Sequence, residues 1–257
     1  EMMGQREMLE SLFAAGLLNS LLVGLGDAVF VPILLAVLRV RSPRIRQACY
    51  GLALLHCVAA SFLASPLAFV QVRYRFFEGS SSAAWLPFLH EADIQVTMVW
   101  VAIAAFLLFS RALAAFHAHR ALRCAVRLCG HRDDAVEAEI AALAGAMGVR
   151  PPEAVFLEAS FATPFAAGLF RPIVVLPEGV RGLLDPAELQ AVLAHELAHL
   201  RRHDLLANLL VEATRATLFF NPFFGLLASR YREEVEKARD AEACRITRAW
   251  PPLASGL

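Results

Sequence analysis

The stretch "HELAH" at 195–199 combines three side chains that can bind and use a metal ion. On a helix, His195 and His199 lie one turn apart on one face, so both imidazoles can reach a single ion. Glu196 then stands beside that ion, where a carboxylate can take a proton from a water held there. Zinc suits such a set, because it acidifies a water and polarises a carbonyl without redox chemistry. The competing reading is an alanine- and leucine-rich core helix that carries histidines by coincidence. The motif by itself leaves both readings standing.

A catalytic zinc needs a third protein ligand and an open position. Two sources are in reach of the sequence. His203 continues the four-residue spacing, but three ligands on successive turns of one straight helix do not readily converge on one ion. Further along, "REEVEKARDAE" (232–242) sets Glu236 and Asp240 one turn apart. Glu236 could bind the metal while Asp240 accepts a hydrogen bond from a ligating imidazole. Glu233 and Glu234 compete with Glu236, and the same charged face can also be read as solvated.

The elements that must position these groups are well punctuated. In "LLDPAELQAVLAHELAHLRR" (183–202), Asp185 is an N-cap, Pro186 the first helical residue and Glu188 the capping-box partner. Arg201 and Arg202 close the helix where cations suit its dipole. Upstream, residues 173–176 (Ile-Val-Val-Leu) form a short strand bracketed by Pro172 and Pro177, and the prolines point to an edge position. Residues 133–147 have helical spacing with acids early and Gly148 as C-cap. The apolar segment 205–229, which contains Glu212 and Arg215, is either a helix at a membrane surface or a buried helix broken at Pro222.

The first half of the chain is different in kind. Of the 257 residues 58% are hydrophobic and 19% charged, against about half and about a quarter in a typical soluble domain. The mean hydropathy is +0.54, and charge is scarce before residue 110. Three apolar runs, 9–38, 48–72 and 94–109, are long enough to cross a bilayer as helices. The link after the first run carries Arg39, Arg41, Arg44 and Arg46, and Arg111, Arg120, Arg123 and Arg127 follow the third. By the positive-inside rule both regions are cytoplasmic, so the N-terminus and the 76–93 loop face outward. Asp27 inside the first run is a costly exception with no partner evident in the sequence. The formal net charge of zero suggests no direct nucleic-acid partner. The five cysteines fit neither a disulfide framework nor a cysteine-type zinc site.

Taken in order, several segments resemble one family. They are "TPFAAG" (163–168), "FRPIVVLP" (170–177), "HELAH" with Arg202 and Asp204, "FNP" (220–222), and Arg232 through Glu236 to Asp240. Together they are similar to the membrane zinc peptidases of the β-lactam-sensing, antirepressor-receptor type. The prenyl-protein and heat-shock membrane proteases share less of the set. The resemblance implies that His195, His199 and Glu236 bind Zn2+, that Glu196 is the general base, and that Asp240 supports a ligand. It weakens His203 as a ligand. It further implies a protein substrate, such as a transcriptional repressor, with the strand residues Ile173, Val174 and Val175 holding it by strand addition.

Two departures stand out. The family often has Ala-Cys-Asp where this chain reads Ala238-Arg239-Asp240. No fourth long apolar run precedes Leu257, and the one lysine, Lys237, follows Glu234 rather than a serine, so no Ser-x-x-Lys site for a β-lactam is expected in this chain. The chain is then either a fragment or a protein with a different signal. The fold expected is a mainly α membrane protein of bacterial inner-membrane type. It has three N-terminal transmembrane helices within 1–130, then a cytoplasmic α+β zincin-like metallopeptidase domain at 131–257. Its expected function is zinc-dependent endopeptidase activity at the cytoplasmic face, in signalling. The alternative is a non-catalytic or truncated membrane scaffold that keeps a zinc site.

Overall fold

The long apolar runs form long helices, in which backbone groups are satisfied locally, and the first continues through Pro32. In a computed structural model of the chain, which describes residues 2–62, 86–157 and 163–248, they are α1 (Met2–Val37), α2 (Pro43–Phe62) and α3 (Leu86–Cys129). Among the described residues two stretches are long and apolar enough to cross a membrane, Asn19–Val37 and Met98–Cys129. Their apolar windows are only 22% and 6% buried, whereas a soluble core helix would be mostly covered. The end of the second run, 63–72, lies outside the described residues, as does 76–85 of the outward loop. The remainder of that loop is corrected: 86–93 is already helical, because α3 begins at Leu86.

The chain divides into two units. In the first (Glu1–Phe109 with Ala213–Arg232), Asp27 meets a partner that the sequence did not disclose: its Oδ2 is 3.0 Å from Nδ1 of His56 on α2. This unit also explains the Phe-Asn-Pro segment. Asn221 is buried, and its Oδ1 accepts from the N–H groups of Phe223 and Phe224 at 3.0 and 3.1 Å, capping α8 (Pro222–Thr247). Its Nδ2 donates to the Ser20 carbonyl at 2.8 Å and to Ser20 Oγ at 3.1 Å. Pro222 begins the helix where its missing N–H costs nothing.

The second unit (Ser110–Glu212 with Glu233–Leu257) holds the sheet. Helix α4 (Asp134–Met147) starts on Asp133, whose side chain accepts from the N–H groups of Ala135 and Val136, and ends on Gly148 at φ +66°. That left-handed conformation is one glycine adopts without strain. Then follow β1 (Glu153–Leu157), β2 (Phe165–Ala167), β3 (Ile173–Pro177), α5 (Val180–Leu183), α6 (Pro186–Arg201) and α7 (Asp204–Thr217). The strand order is β1-β3-β2, with β1 parallel and β2 antiparallel to β3.

This overturns the edge position read for Ile173, Val174 and Val175. All three are paired on both sides: with Glu153, Ala154 and Val155 of β1, and with Ala167, Ala166 and Phe165 of β2. They have no free ladder for a substrate strand. The prolines mislead because they sit at the ends. Pro172 precedes the strand, and Pro177 closes it, with the next donor, Glu178 N, reaching the Leu157 carbonyl at 3.3 Å. The sheet margins are β1, bridged by His131 to Phe156, and β2.

The core lies between α4, α6 and one face of the sheet, around Ile140, Leu143, Val174, Leu176, Leu193 and Leu197. Each large side chain there contributes about 1.5–3 kcal/mol by leaving water. Ala191, Ala194 and Ala198 are fully buried on α6, and Ala194 and Ala198 pack within this core.

Candidate metal centre

Helix α6 presents its histidines as the caps require. The Asp185 side chain accepts from Glu188 N at 2.8 Å and the Glu188 carboxylate accepts from Asp185 N at 2.9 Å, a complete capping box. The helix ends at Arg201, and His203 falls beyond it at φ +54°, exposed. His203 is thus off the helix face that His195 and His199 share.

Among the described residues one group of His, Cys, Asp and Glu side chains converges: His195, His199 and Glu236, with ligand atoms within 4.8 Å of one another. Nε2 of His195 and Nε2 of His199 are 3.0 Å apart, and Glu236 Oε2 is 3.5 Å from each. A tetrahedral zinc with bonds of about 2.0–2.1 Å holds its ligand atoms roughly 3.3–3.4 Å apart. The spacing and the His2Glu donor set therefore fit zinc. The Glu236 side chain is 58% exposed, which leaves one side of the site open.

The outer nitrogens are also engaged. His199 Nδ1 is 2.8 Å from Asp204 Oδ2, and since a carboxylate can only accept, the ring donates there and keeps the Nε2 lone pair for an ion. Asp240 Oδ1 lies 2.8 Å from His195 Nδ1 and pairs the carboxylate with the outer side of that ring. Asp204 is in turn gripped by Arg239, Nε to Oδ2 at 2.5 Å and Nη2 to Oδ1 at 2.6 Å. Arg239 is 2% exposed. A further link, from exposed Arg201 Nη1 to buried Glu242 Oε1 at 2.6 Å, ties the end of α6 to α8. Glu234, a competitor for the third ligand position, is buried and takes a hydrogen bond from Lys237 Nζ at 3.1 Å.

Charge at the centre follows from these contacts. Burial opposes a positive charge on His195, but Asp240, Glu236 and Glu196 outweigh it and raise the ring to about 9. At His199 burial is likewise overcome, by Asp204 and Glu236, again to about 9. The hydrogen bonds from both rings hold the Glu236 carboxyl far below the usual carboxylate range, against its burial. Burial also works against ionised Asp204, yet the Arg239 fork and His199 keep its carboxyl low. Burial pushes the Glu196 carboxyl up, and the two histidines with the Ala166 N–H only partly restrain it. The carboxylates around the two rings thus favour positive charge at this point.

Glu196 Oε2 accepts from Ala166 N at 2.7 Å, so the edge strand β2 touches the group beside the metal site. Gly168, at φ +90°, makes the turn from β2 towards β3. A Cβ there would lie 2.3 Å from the Arg171 carbonyl, so only glycine permits that turn.

Sequence reasoning had brought together His195, Glu196, His199, Glu236 and Asp240. It missed Asp204 and Arg239 as parts of the centre. Asp204 had appeared only as a matching motif residue and Arg239 only as a departure. The sequence carried no signal for the pair, because Arg239 stands among other charged residues and Asp204 follows Arg201, Arg202 and His203.

A helical chain with membrane-length segments and a small sheet, and with a His2Glu centre beside a buried glutamate, defines a membrane-associated metallopeptidase class. The family model described as BlaR1 peptidase M56 matches residues 72–249. The chain belongs to that family, membrane metallopeptidases of the β-lactam-sensor type. It is 31% identical over 78 residues to the regulatory protein BlaR1 of Bacillus licheniformis, covering 30% of this chain and 13% of that protein. The methicillin resistance mecR1 protein of Staphylococcus aureus is 29% identical over 83 residues, 32% of this chain and 14% of that protein. The mecR1 protein of Staphylococcus epidermidis matches to the same extent. The matched stretches thus span only a small part of these relatives' length.

Proposed function

We propose that this protein is a zinc-dependent integral-membrane endopeptidase that cuts a protein substrate at the cytoplasmic face. The observation that carries the reading is the convergence of His195 Nε2, His199 Nε2 and Glu236 Oε2 with Glu196 next to them. A zinc ion held there supplies acidification of a water and polarisation of the scissile carbonyl. Glu196 accepts the proton at its carboxylate and returns it to the departing amine, a role its raised affinity for protons suits. Asp204 and Asp240 hold the Nδ1 sides of the two rings so that both Nε2 atoms face inward. The outer edge of β2, rather than β3, is the strand that would align an extended peptide.

In this account the membrane region runs to about residue 130 with three crossings and the N-terminus outside. The peptidase region then occupies 131–257, and the placement of arginines supports that orientation. The substrate class is a regulatory protein such as a transcriptional repressor, a reading supported by the kinship with the regulatory protein BlaR1. A purely structural zinc site would have no use for Glu196 beside its ligands.

The test is cleavage by the full chain in detergent or nanodiscs, with casein and a repressor as substrates. Zinc-loaded wild type should cleave, chelation should stop it, and Glu196→Gln should lower the rate by about 10²–10⁴-fold while keeping its zinc. Equal cleavage by Glu196→Gln would overturn the assignment.

A further inference from the structure

Helix α7 has a face that nothing in the catalytic account uses. Leu205, Leu206, Leu209 and Leu210 are exposed by 44, 40, 53 and 59%. At i, i+1, i+4 and i+5 they form one continuous stripe, while Asp204, Asn208, Glu212 and Arg215 lie on the opposite side. A protein surface bathed in water rarely gathers four outward leucines in one patch.

A second contact fixes the level of this helix. Arg111 of α3 donates to the Glu212 carbonyl at 3.4 Å and also grips the Glu212 carboxylate. Arg111 is the first charge after an apolar stretch of α3 whose Phe106 and Phe109 are each 68% exposed. In a membrane-spanning helix that is the cytoplasmic boundary, where an arginine extends its guanidinium to the headgroups. Exposed Leu113 and Phe116 follow directly, so the level is the interfacial zone rather than open water. Glu212 is held at this level, and the leucine stripe ends two residues before it, at Leu210.

We propose that α7 is an interfacial helix whose leucine face lies in the cytoplasmic leaflet of the bilayer. The inference rests on the membrane reading above and adds a lipid-contacting element to the peptidase region itself. Its partner is the acyl–headgroup boundary of a phospholipid bilayer. Asp204, which orients His199, is the first residue of the same helix, so bilayer contact and the metal centre share one rigid element.

The test uses the full chain in nanodiscs of phosphatidylethanolamine and phosphatidylglycerol, with the photoreactive residue p-benzoylphenylalanine placed singly at Leu206, Leu209, Asn208 or Phe106. After irradiation, lipid adducts are counted by mass spectrometry. Positions 206 and 209 should give lipid adducts within about threefold of Phe106 and at least about fivefold above Asn208, as an immersed helix face requires. Lipid adducts at Phe106 with none above the Asn208 level at 206 and 209 would overturn the proposal alone. Crosslinks from 206 and 209 to a second protein chain would overturn it in favour of a protein interface. No lipid adduct even at Phe106 would overturn the membrane reading, and this proposal with it.

Discussion

Arg239→Ala is the most informative single change at this centre, because Arg239 touches no proposed ligand. Its guanidinium makes two bonds of 2.5 and 2.6 Å to Asp204, and both partners are largely buried. Removing one partner of a buried ion pair costs about 3–5 kcal/mol, because the other charge is left uncompensated. Asp204 keeps its contact with His199 and is 12% exposed, so about 2–4 kcal/mol is the fair expectation here. The second consequence is at the metal. With Asp204 no longer fixed, the Nδ1 side of His199 loses its orienting acceptor, which typically weakens metal binding by about 10–100-fold. The assays are zinc affinity by competition with a chromophoric chelator, and thermal unfolding of the metal-free protein in the same detergent. Arg239→Lys should fall between, since lysine restores a charge but not the two-pronged fork. Wild-type zinc affinity in Arg239→Ala would refute the link from Arg239 through Asp204 to His199.

Three further outcomes follow from the same geometry. Glu236→Ala should lower zinc occupancy sharply while His203→Ala leaves it unchanged; inductively coupled plasma analysis checks both, and loss in the His203 variant would reassign the third ligand. Zinc binding should depend on pH, because rings with values near 9 must lose protons to bind an ion. As the two Nε2 atoms are 3.0 Å apart, at least one shared proton must leave, so affinity should rise about tenfold per pH unit between pH 6 and 8 and level off above 9. Flat affinity over that range would contradict the charge arrangement. The sign for the metal-free fold is opposite: raised histidine values stabilise it fully below about pH 6.5, and that contribution is lost as pH climbs through about 9. Asn221→Ala removes both the cap of α8 and the bonds to Ser20, and should cost about 1–3 kcal/mol in unfolding measurements. Asn221→Asp keeps the cap oxygen but not the donor, so equal losses in the two variants would show that the Ser20 bond is the part that matters.

Local signals were legible in the sequence and long-range ones were not. Asp185, Pro186 and Glu188 marked the start of the zinc-site helix because capping is settled within four residues. Asp133 and Gly148 did the same for α4. The pair His195 and His199, and the pair Glu236 and Asp240, could be read because helical spacing alone puts each pair on one face. The Arg239–Asp204 fork joins residues 35 apart, and no local rule foretells it. Strand β2 is three residues long, two of them alanine and none β-branched, so it carries little strand signal of its own. Without β2 in view, the flanking prolines made β3 look like an edge. The partner of Asp27 was hidden for the same reason, since His56 lies on another helix.

X-ray absorption spectroscopy of the purified, zinc-loaded full chain shows directly whether His195, His199 and Glu236 hold the ion. One zinc per chain should be bound by two imidazoles and by oxygen at about 2.0–2.1 Å, with no sulfur. That signal should lose half its imidazole scattering, or the zinc itself, in His199→Ala. Sulfur ligands at about 2.3 Å, drawn from the free cysteines, or the absence of bound zinc in wild type, would contradict that assignment.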